Sequence, residues 1–175
     1  MKQEYVNPFL SPAIRVWQKE LGQPLAMVSA EGVAGRFTTE DITAAIGVSG
    51  RLQGSVFYGF PAGTARAVID EMVGRGFELS SEMALSALGE IANVITGNAA
   101  TELASIGYHC NISPPFMIVP AGSLITSVVG RQILVTFGSS LGPFKIRVSL
   151  TETPGWENVA GLPIQQPVQG ALSRA

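Results

Sequence analysis

The chain has 175 residues, of which 14% are charged, with 11 Lys and Arg against 13 Asp and Glu. The net charge of −2 leaves no basic surface to hold a phosphate backbone, so we expect no nucleic-acid partner. No uninterrupted apolar stretch reaches the roughly 20 residues that a bilayer crossing needs, so we expect no membrane partner. The N-terminal residues lack an apolar signal core and the single Cys cannot form an intrachain disulfide, which together predict a cytoplasmic location.

The first predicted element is a helix that opens at Asn7-Pro8-Phe9. Its apolar positions recur at steps of three and four residues: Phe9, Ala13, Val16, Trp17 and Leu21. Gly22 and Pro24 end this helix. Over residues 25–60, short apolar and β-branched runs alternate with Gly, which is typical of strands joined by turns. A second helix is predicted over residues 61–73, because a proline suits its first turn.

A long, Ala-rich helix is predicted over residues 82–106, with Ser80 or Ser81 as its N-cap. The chain beyond it is rich in β-branched and aromatic residues punctuated by Gly and Pro, and we expect strands over residues 108–119, 124–137 and 144–150. The remaining residues are rich in Pro, Gln and Gly and lack apolar periodicity. We therefore expect one domain over residues 1–150, followed by a C-terminal arm or disordered tail over residues 151–175.

Two internal shifts align similar residues. A shift of 75 positions places the first-helix residues Ser11, Arg15, Gln18 and Gly22 on Ser86, Glu90, Asn93 and Gly97. A shift of 80 positions places Gly50-Arg51 and Phe57 on Gly130-Arg131 and Phe137. The chain is therefore interpreted as two copies of a helix-then-sheet unit in one pseudo-symmetric domain.

The long helix carries a narrow polar ridge opposite a broad apolar stripe. At about 100° per residue, the stripe contains Leu88, Ile91, Ala92, Ile95, Ala99 and Leu103. The opposite face carries the polar ridge, which consists of Ser86, Glu90, Asn93 and Gly97. Asn and Gly are both poor helix formers, so their place in mid-helix calls for a reason other than local stability. A solvated helix face is the alternative explanation.

The spacing of the ridge residues resembles a family motif. Ser86-x3-Glu90-x2-Asn93, followed by 21 residues and then Pro115, is similar to the Asp/Ser-x3-Glu-x2-Asn-x21-Pro pattern of the CheC, CheX and FliY chemotaxis phosphatases. The opening Asn7-Pro8-Phe9 is similar to the CheX branch, and the resemblance covers about residues 5 to 150. It implies an α/β chain of the α+β type with the CheC-like fold, in which a largely antiparallel sheet packs against long helices.

The resemblance also implies a function and a partner. The protein would hydrolyse the aspartyl phosphate of a phosphorylated response regulator, a CheY-like receiver domain, in chemotaxis or related two-component signalling. Asn93 would orient the attacking water and Glu90 would pair with a lysine beside the phosphate, while Ser86, Gly97 and Pro115 would support the site or contact the partner. No covalent intermediate and no cofactor are expected on this chain, because Mg²⁺ on the receiver domain would meet the phosphoryl charge.

The first helix departs from the family pattern. Arg15 stands where a Glu would meet a lysine, and Gln18 is one methylene longer than the Asn that positions the water. One active ridge per chain is therefore expected, as in the CheX branch, and the same resemblance implies a homodimer.

Two other functions stay open from the sequence. A non-catalytic adaptor of the same fold would bind a response regulator or a flagellar switch protein without hydrolysis, and a structural homodimer would leave the ridge as solvated surface. His109 and Cys110 are strand neighbours that point to opposite faces, so no metal site is expected there. Pro114-Pro115 either breaks an edge strand or shapes the loop beside the ridge.

Overall fold

The computed structural model describes residues 2–119 and 121–156, in which three helices pack over a seven-stranded antiparallel sheet. The helices are α1 (Asn7–Leu21), α2 (Ala62–Val73) and α3 (Glu82–Ser105). The strands are β1 (Ala26–Thr38), β2 (Ile42–Gly50), β3 (Leu52–Phe60), β4 (Cys110–Ile112), β5 (Phe116–Ile118), β6 (Leu124–Ser139) and β7 (Gly142–Glu152). One hydrophobic core joins the helices to the sheet, so the α+β class is confirmed.

The order of the strands reveals the internal duplication. The sheet runs β1-β6-β7-β3-β2, with β4 and β5 both pairing along the free side of β2. The last strands of the two halves, β3 and β7, lie side by side at the centre. Each half then places its first strand at the far edge, beside the second strand of the other half. The predicted pair of helix-then-sheet units is therefore confirmed.

Only one of the two predicted sequence shifts matches the structure. Helices α1 and α3 begin 75 positions apart, which is the shift that aligned Ser11 with Ser86. The shift of 80 is wrong, because Gly50 ends β2 at a hairpin whereas Gly130 lies inside β6. The hairpin of the second half comes later, between Ser139 and Gly142. Repeated glycines in a Gly-rich chain produced this false alignment.

The three strands predicted after the long helix have different bounds in the structure. The strand expected over residues 108–119 is split into β4 and β5, and β6 continues to Ser139. Strand β7 runs through Glu152, and the Thr153 amide then donates to the Arg51 carbonyl at 2.9 Å. The sheet therefore extends past the expected domain end at residue 150. Residues 157–175 lie outside the described part of the chain, and a C-terminal tail there stays a prediction.

Helix α3 is fixed at its start and along its inner face. The Ser81 side chain caps it by accepting a hydrogen bond from the Ala84 amide at 3.3 Å, and Glu82 places a negative charge in the first turn. The predicted apolar stripe is buried in full: Leu88, Ile91, Ala92, Ile95, Ala99 and Leu103. On the same face the Thr96 hydroxyl lies 2.7 Å from the buried Tyr58 hydroxyl of β3. These contacts hold the helix with its polar ridge facing outwards.

Across residues 2–119 and 121–156, no helix has both the length and the hydropathy that a membrane span requires. Within the same ranges, no three His, Cys, Asp or Glu side chains gather closely enough to hold a metal ion.

Candidate active site

The polar ridge lies on the outer surface of α3, as its position opposite the buried stripe predicts. Ser86 and Glu90 are exposed, whereas Asn93 and Gly97 are half-buried. Their spacing of three and four residues keeps all four side chains on one face of the helix. The structure thus brings together Glu90 and Asn93, the residues expected to act on the phosphate.

An open groove runs along the ridge, and its second wall comes from the edge of the sheet. The groove is lined by Ser80, Glu82, Leu85, Ser86, Gly89, Glu90, Asn93, Pro115 and Met117. Pro115, distant in sequence, therefore stands across the groove from the ridge residues of α3. Gly97 lies beyond the groove, one turn further along the helix.

Pro115 is placed by an interruption of the edge strand. Strands β4 and β5 pair with the two ends of β2, and the residues between them leave the ladder. Ser113 bridges this gap, because its amide donates to the Gly47 carbonyl and its hydroxyl accepts from the Gly47 amide, both at 2.9 Å. Pro114 and Pro115 follow, and neither has an N–H to continue the ladder. The proline pair thus interrupts the edge strand, and Pro115 also lies beside the ridge, where it lines the groove.

Gly89 allows the proline to approach the helix, and the sequence motif does not identify it. Gly89 is buried immediately before Glu90. A Cβ atom on Gly89 would lie 3.3 Å from Cγ of Pro115 and 3.5 Å from the Met117 sulfur. Because these distances are at or below ordinary van der Waals contact, a side chain here would press on the opposite wall. A mid-helix glycine just before a ridge residue was the signal that the sequence offered.

The groove is acidic, and in the described ranges the side chains of Glu90 and Asn93 make no hydrogen bond or ion pair. Glu82 adds a second carboxylate, and no described lining residue is cationic. The arrangement can therefore receive a cation at Glu90 and a hydrogen-bonding molecule at Asn93 without first breaking a contact on this chain.

The corresponding face of α1 is differently arranged. Arg15 donates to the Ser11 hydroxyl at 2.5 Å and to a Glu102 carboxylate oxygen of α3 at 2.8 Å. Gln18 is exposed on α1. The side chain that replaces the ridge glutamate is thus engaged within the chain.

The only His and the only Cys lie away from the groove. His109 is exposed, while Cys110 is half-buried at the start of β4. Burial raises the pKa of the Cys110 thiol, which favours its neutral form. Neither residue lines the groove.

Solved structures identify the class of protein that this fold defines. The chemotaxis protein CheX from Vibrio vulnificus is 26% identical, with a TM-score of 0.76 over 85% of this chain and 99% of that one. The CheX of a CheX-CheY-BeF3-Mg²⁺ complex from Borrelia burgdorferi is 21% identical, with a TM-score of 0.67 over 85% of this chain and 98% of that one. The fold is that of CheC-like chemotaxis proteins, as the sequence resemblance implies.

Comparison of the sequence with known families identifies the family within this class. The family described as "Chemotaxis phosphatase CheX" matches residues 42–137, which is more than half of the chain. The protein belongs to the CheX family. A curated relative, "CheY-P phosphatase CheX" of Thermotoga maritima, is 40% identical over 75 residues, covering 42% of this chain and 48% of the relative. The match thus spans about half the length of that relative.

Proposed function

We propose that this protein is a phosphatase that hydrolyses the aspartyl phosphate of a CheY-like receiver domain in chemotaxis or related two-component signalling. The observation that carries the proposal is the pair formed by Glu90 and Asn93, which share one exposed groove and have no partner in the described part of the chain. Membership of the CheX family supports it, as does the name of the Thermotoga maritima relative, a CheY-P phosphatase.

Asn93 is the proposed water-positioning residue. A carboxamide can accept a hydrogen bond from water through its oxygen and donate to a phosphoryl oxygen through its nitrogen, so it can hold the water in line with the phosphorus. The water oxygen then bonds to phosphorus, and the bond to the aspartyl oxygen breaks with its electron pair on the carboxylate. Inorganic phosphate is released, and the proton leaves with phosphate or solvent. No group on this chain becomes covalently modified.

Glu90 is the proposed anchor for the partner. Its exposed carboxylate lies one turn of α3 before Asn93, so a lysine paired with Glu90 would lie beside the positioned water. When bound to the receiver domain, Mg²⁺ supplies charge stabilisation for the phosphoryl group. The chain itself contributes positioning, which is the larger requirement in phosphoryl transfer.

Phosphate release tests the proposal directly. A receiver domain phosphorylated with a small-molecule donor is mixed with excess wild type or Asn93→Ala, and inorganic phosphate is followed in single turnovers. We expect Asn93→Ala to slow hydrolysis by about 10²-fold at saturation while affinity changes little, because the lost contact is made mainly in the transition state.

Asn98→Ala is the matched control. Asn98 is on the same helix, but it is exposed and its side chain donates to the Val94 carbonyl at 2.8 Å. This variant should hydrolyse at the wild-type rate. If Asn93→Ala does so as well, the groove is not an active site. Binding of the receiver without hydrolysis would then favour the adaptor function.

A further inference from the structure

The groove is longer than the proposed chemistry requires. Glu90 and Asn93 occupy one part of it, and it continues past Ser86 to the start of α3, where Ser80 and Glu82 line it. Glu82 and Glu90 are eight positions apart, which corresponds to about 12 Å along a helix. A partner segment could therefore contact this extension at the same time as the proposed catalytic pair.

The extension combines an apolar floor with an acidic rim. Leu85 and Met117 provide the apolar surface beside the Pro115 wall, and both are half-buried rather than covered. Glu82 stands exposed on the ridge side, since it lies one turn before Ser86 on the same face of α3. An apolar floor beside a single carboxylate suits a side chain pair, one apolar and one basic.

Helix stability explains why a glutamate stands in the first turn of α3, but it does not explain why Glu82 borders the groove. A glutamate in the first turn is favoured by the positive end of the helix. That effect does not require Glu82 to border a groove with an apolar floor. In the described ranges Glu82 makes no ion pair, whereas Glu40, Glu102 and Glu152 are each bound to a Lys or Arg. Its charge is thus available to a partner.

We propose that this extension docks a segment of the receiver domain in which an apolar side chain is flanked by a basic one. The apolar side chain occupies the floor between Leu85 and Met117, and the basic side chain reaches Glu82. Glu82 is thereby a specificity-determining residue for the choice of receiver. The inference rests on the proposed function, because it takes the receiver domain as the occupant, and it adds a second cation about 12 Å from the lysine assigned to Glu90.

Three substitutions at Glu82 test the charge. Affinity is measured against a CheY-like receiver domain carrying beryllofluoride, at two salt concentrations. We expect Glu82→Gln to weaken binding by about threefold to tenfold with a smaller salt dependence, and Glu82→Lys to weaken it by more than about tenfold. Glu82→Asp should retain most of the affinity. The saturated hydrolysis rate should stay within about twofold of wild type in all three, since Glu82 does not touch the reacting atoms.

Controls separate docking from folding. Glu71→Gln removes the same charge from an exposed position on α2 outside the groove, and it should bind as wild type does. Thermal unfolding of each variant reports any loss of helix stability. Met117→Gln replaces the thioether of the floor with an amide of similar size and should weaken binding with little change in the salt dependence.

These measurements distinguish failure of the docking inference from failure of the proposed phosphatase activity. Wild-type affinity in both Glu82→Gln and Glu82→Lys overturns the inference, whether or not the receiver is hydrolysed. A lower saturated rate with unchanged affinity also overturns it. If the wild type binds the receiver without hydrolysing it, the proposed activity fails while the affinity series still tests Glu82. If the wild type neither binds nor hydrolyses the receiver, both proposals fail.

Discussion

The Arg15 guanidinium of α1 lies 2.8 Å from a carboxylate oxygen of Glu102 near the end of α3. By the internal duplication, Arg15 occupies the position of Glu90 in the first half of the chain. We expect Arg15→Ala and Gln18→Ala, alone or together, to leave phosphate release within about threefold of wild type, because Arg15 has the wrong charge to pair with a lysine and Gln18 is one methylene longer than Asn. A loss as large as that of Asn93→Ala would show that both helices act on the phosphate.

Substitutions at Glu90 should alter binding more than turnover. A pair between Glu90 and a lysine would be present in the bound ground state, so Glu90→Ala should weaken affinity for a phosphate-mimicking receiver by about tenfold. Glu90→Lys places like charges together and should nearly abolish binding. Titration calorimetry against the receiver measures both effects. Glu71→Lys makes the same charge reversal on α2 and should leave the affinity for the receiver unchanged. An equal loss of affinity in Glu71→Lys and Glu90→Lys would indicate a general charge effect instead.

The absence of a side chain at Gly97 should be required for binding of the partner and not for folding. A Cβ atom there would meet nothing within 4 Å in the described part of the chain. Gly97→Ala should therefore raise the free energy of unfolding by about 0.5–1 kcal/mol through helix propensity. Gly97→Leu should instead reduce receiver affinity by at least about tenfold if the partner approaches closely.

Gly63 of α2 is the control for that experiment. It is exposed and its Cβ position is equally open, so Gly63→Leu should leave receiver binding unchanged. Wild-type affinity in Gly97→Leu would mean that the partner does not cover this part of α3.

The open edge of strand β1 is where we expect two copies of the protein to pair. The described part of β1 pairs only with β6, and its other edge is open over thirteen residues. Met27 and Val28 are 53% and 70% exposed there. The opposite edge is interrupted at Pro114 and Pro115, which protects it from pairing. We expect a dimer at micromolar concentration and, in Val28→Lys, a species of about 18.4 kDa by light scattering.

Ile14→Lys is the comparison for the edge experiment, because it charges an exposed apolar side chain on α1. It should remain dimeric. A monomeric wild type, or a monomer produced only by Ile14→Lys, would exclude pairing through β1.

Glu152 should make the stability dependent on acid. The Lys2 ammonium donates to Glu152 at 2.7 Å and the Tyr5 hydroxyl also donates to it, and these bonds lower the pKa of the Glu152 carboxyl. Its contribution is therefore full above its ordinary pKa near 4.5 and is lost as the pH falls through the lower value of the folded state. Glu152→Gln should unfold at lower urea than wild type at pH 7.

The same comparison at low pH provides the check. The gap between Glu152→Gln and wild type should narrow as the pH falls below 4.5 and through the lowered pKa of the folded state, because the Glu152 carboxyl then takes up a proton and is uncharged like Gln. Glu78→Gln removes an exposed carboxylate with no ion pair in the described ranges and should show a smaller gap at pH 7. A gap of constant size at every pH would assign the effect of Glu152→Gln to something other than the carboxylate charge.

Helix α3 was predictable because its signals are local. Ser81 caps the helix, Glu82 follows in the first turn, and the apolar stripe repeats at helical spacing, so the outward face could be assigned from the sequence. The first shift succeeded for the same reason, since it aligned two helix starts. The shift of 80 failed because Gly50 and Gly130 look alike in sequence but serve a hairpin and a strand interior.

The groove was only half predictable. Its ridge follows from helical geometry, but its second wall depends on how closely β5 approaches α3. That approach is set by Gly89 against Pro115, two residues whose contact no spacing rule predicts. Glu82 borders the groove only because that wall stands opposite it. From the sequence alone, its charge indicated only the start of a helix.

The pairing of β1 with β6 has a consequence for biosynthesis. Ala26 is opposite Gly138 and Thr38 is opposite Leu124, so each bond of this ladder joins positions roughly a hundred residues apart in the chain. During translation β1 emerges from the ribosome long before its partner strand exists. The nascent first half therefore exposes a long strand with two open edges, which can pair with the same segment of a neighbouring nascent chain. Slow synthesis of the segment between them lengthens that exposure.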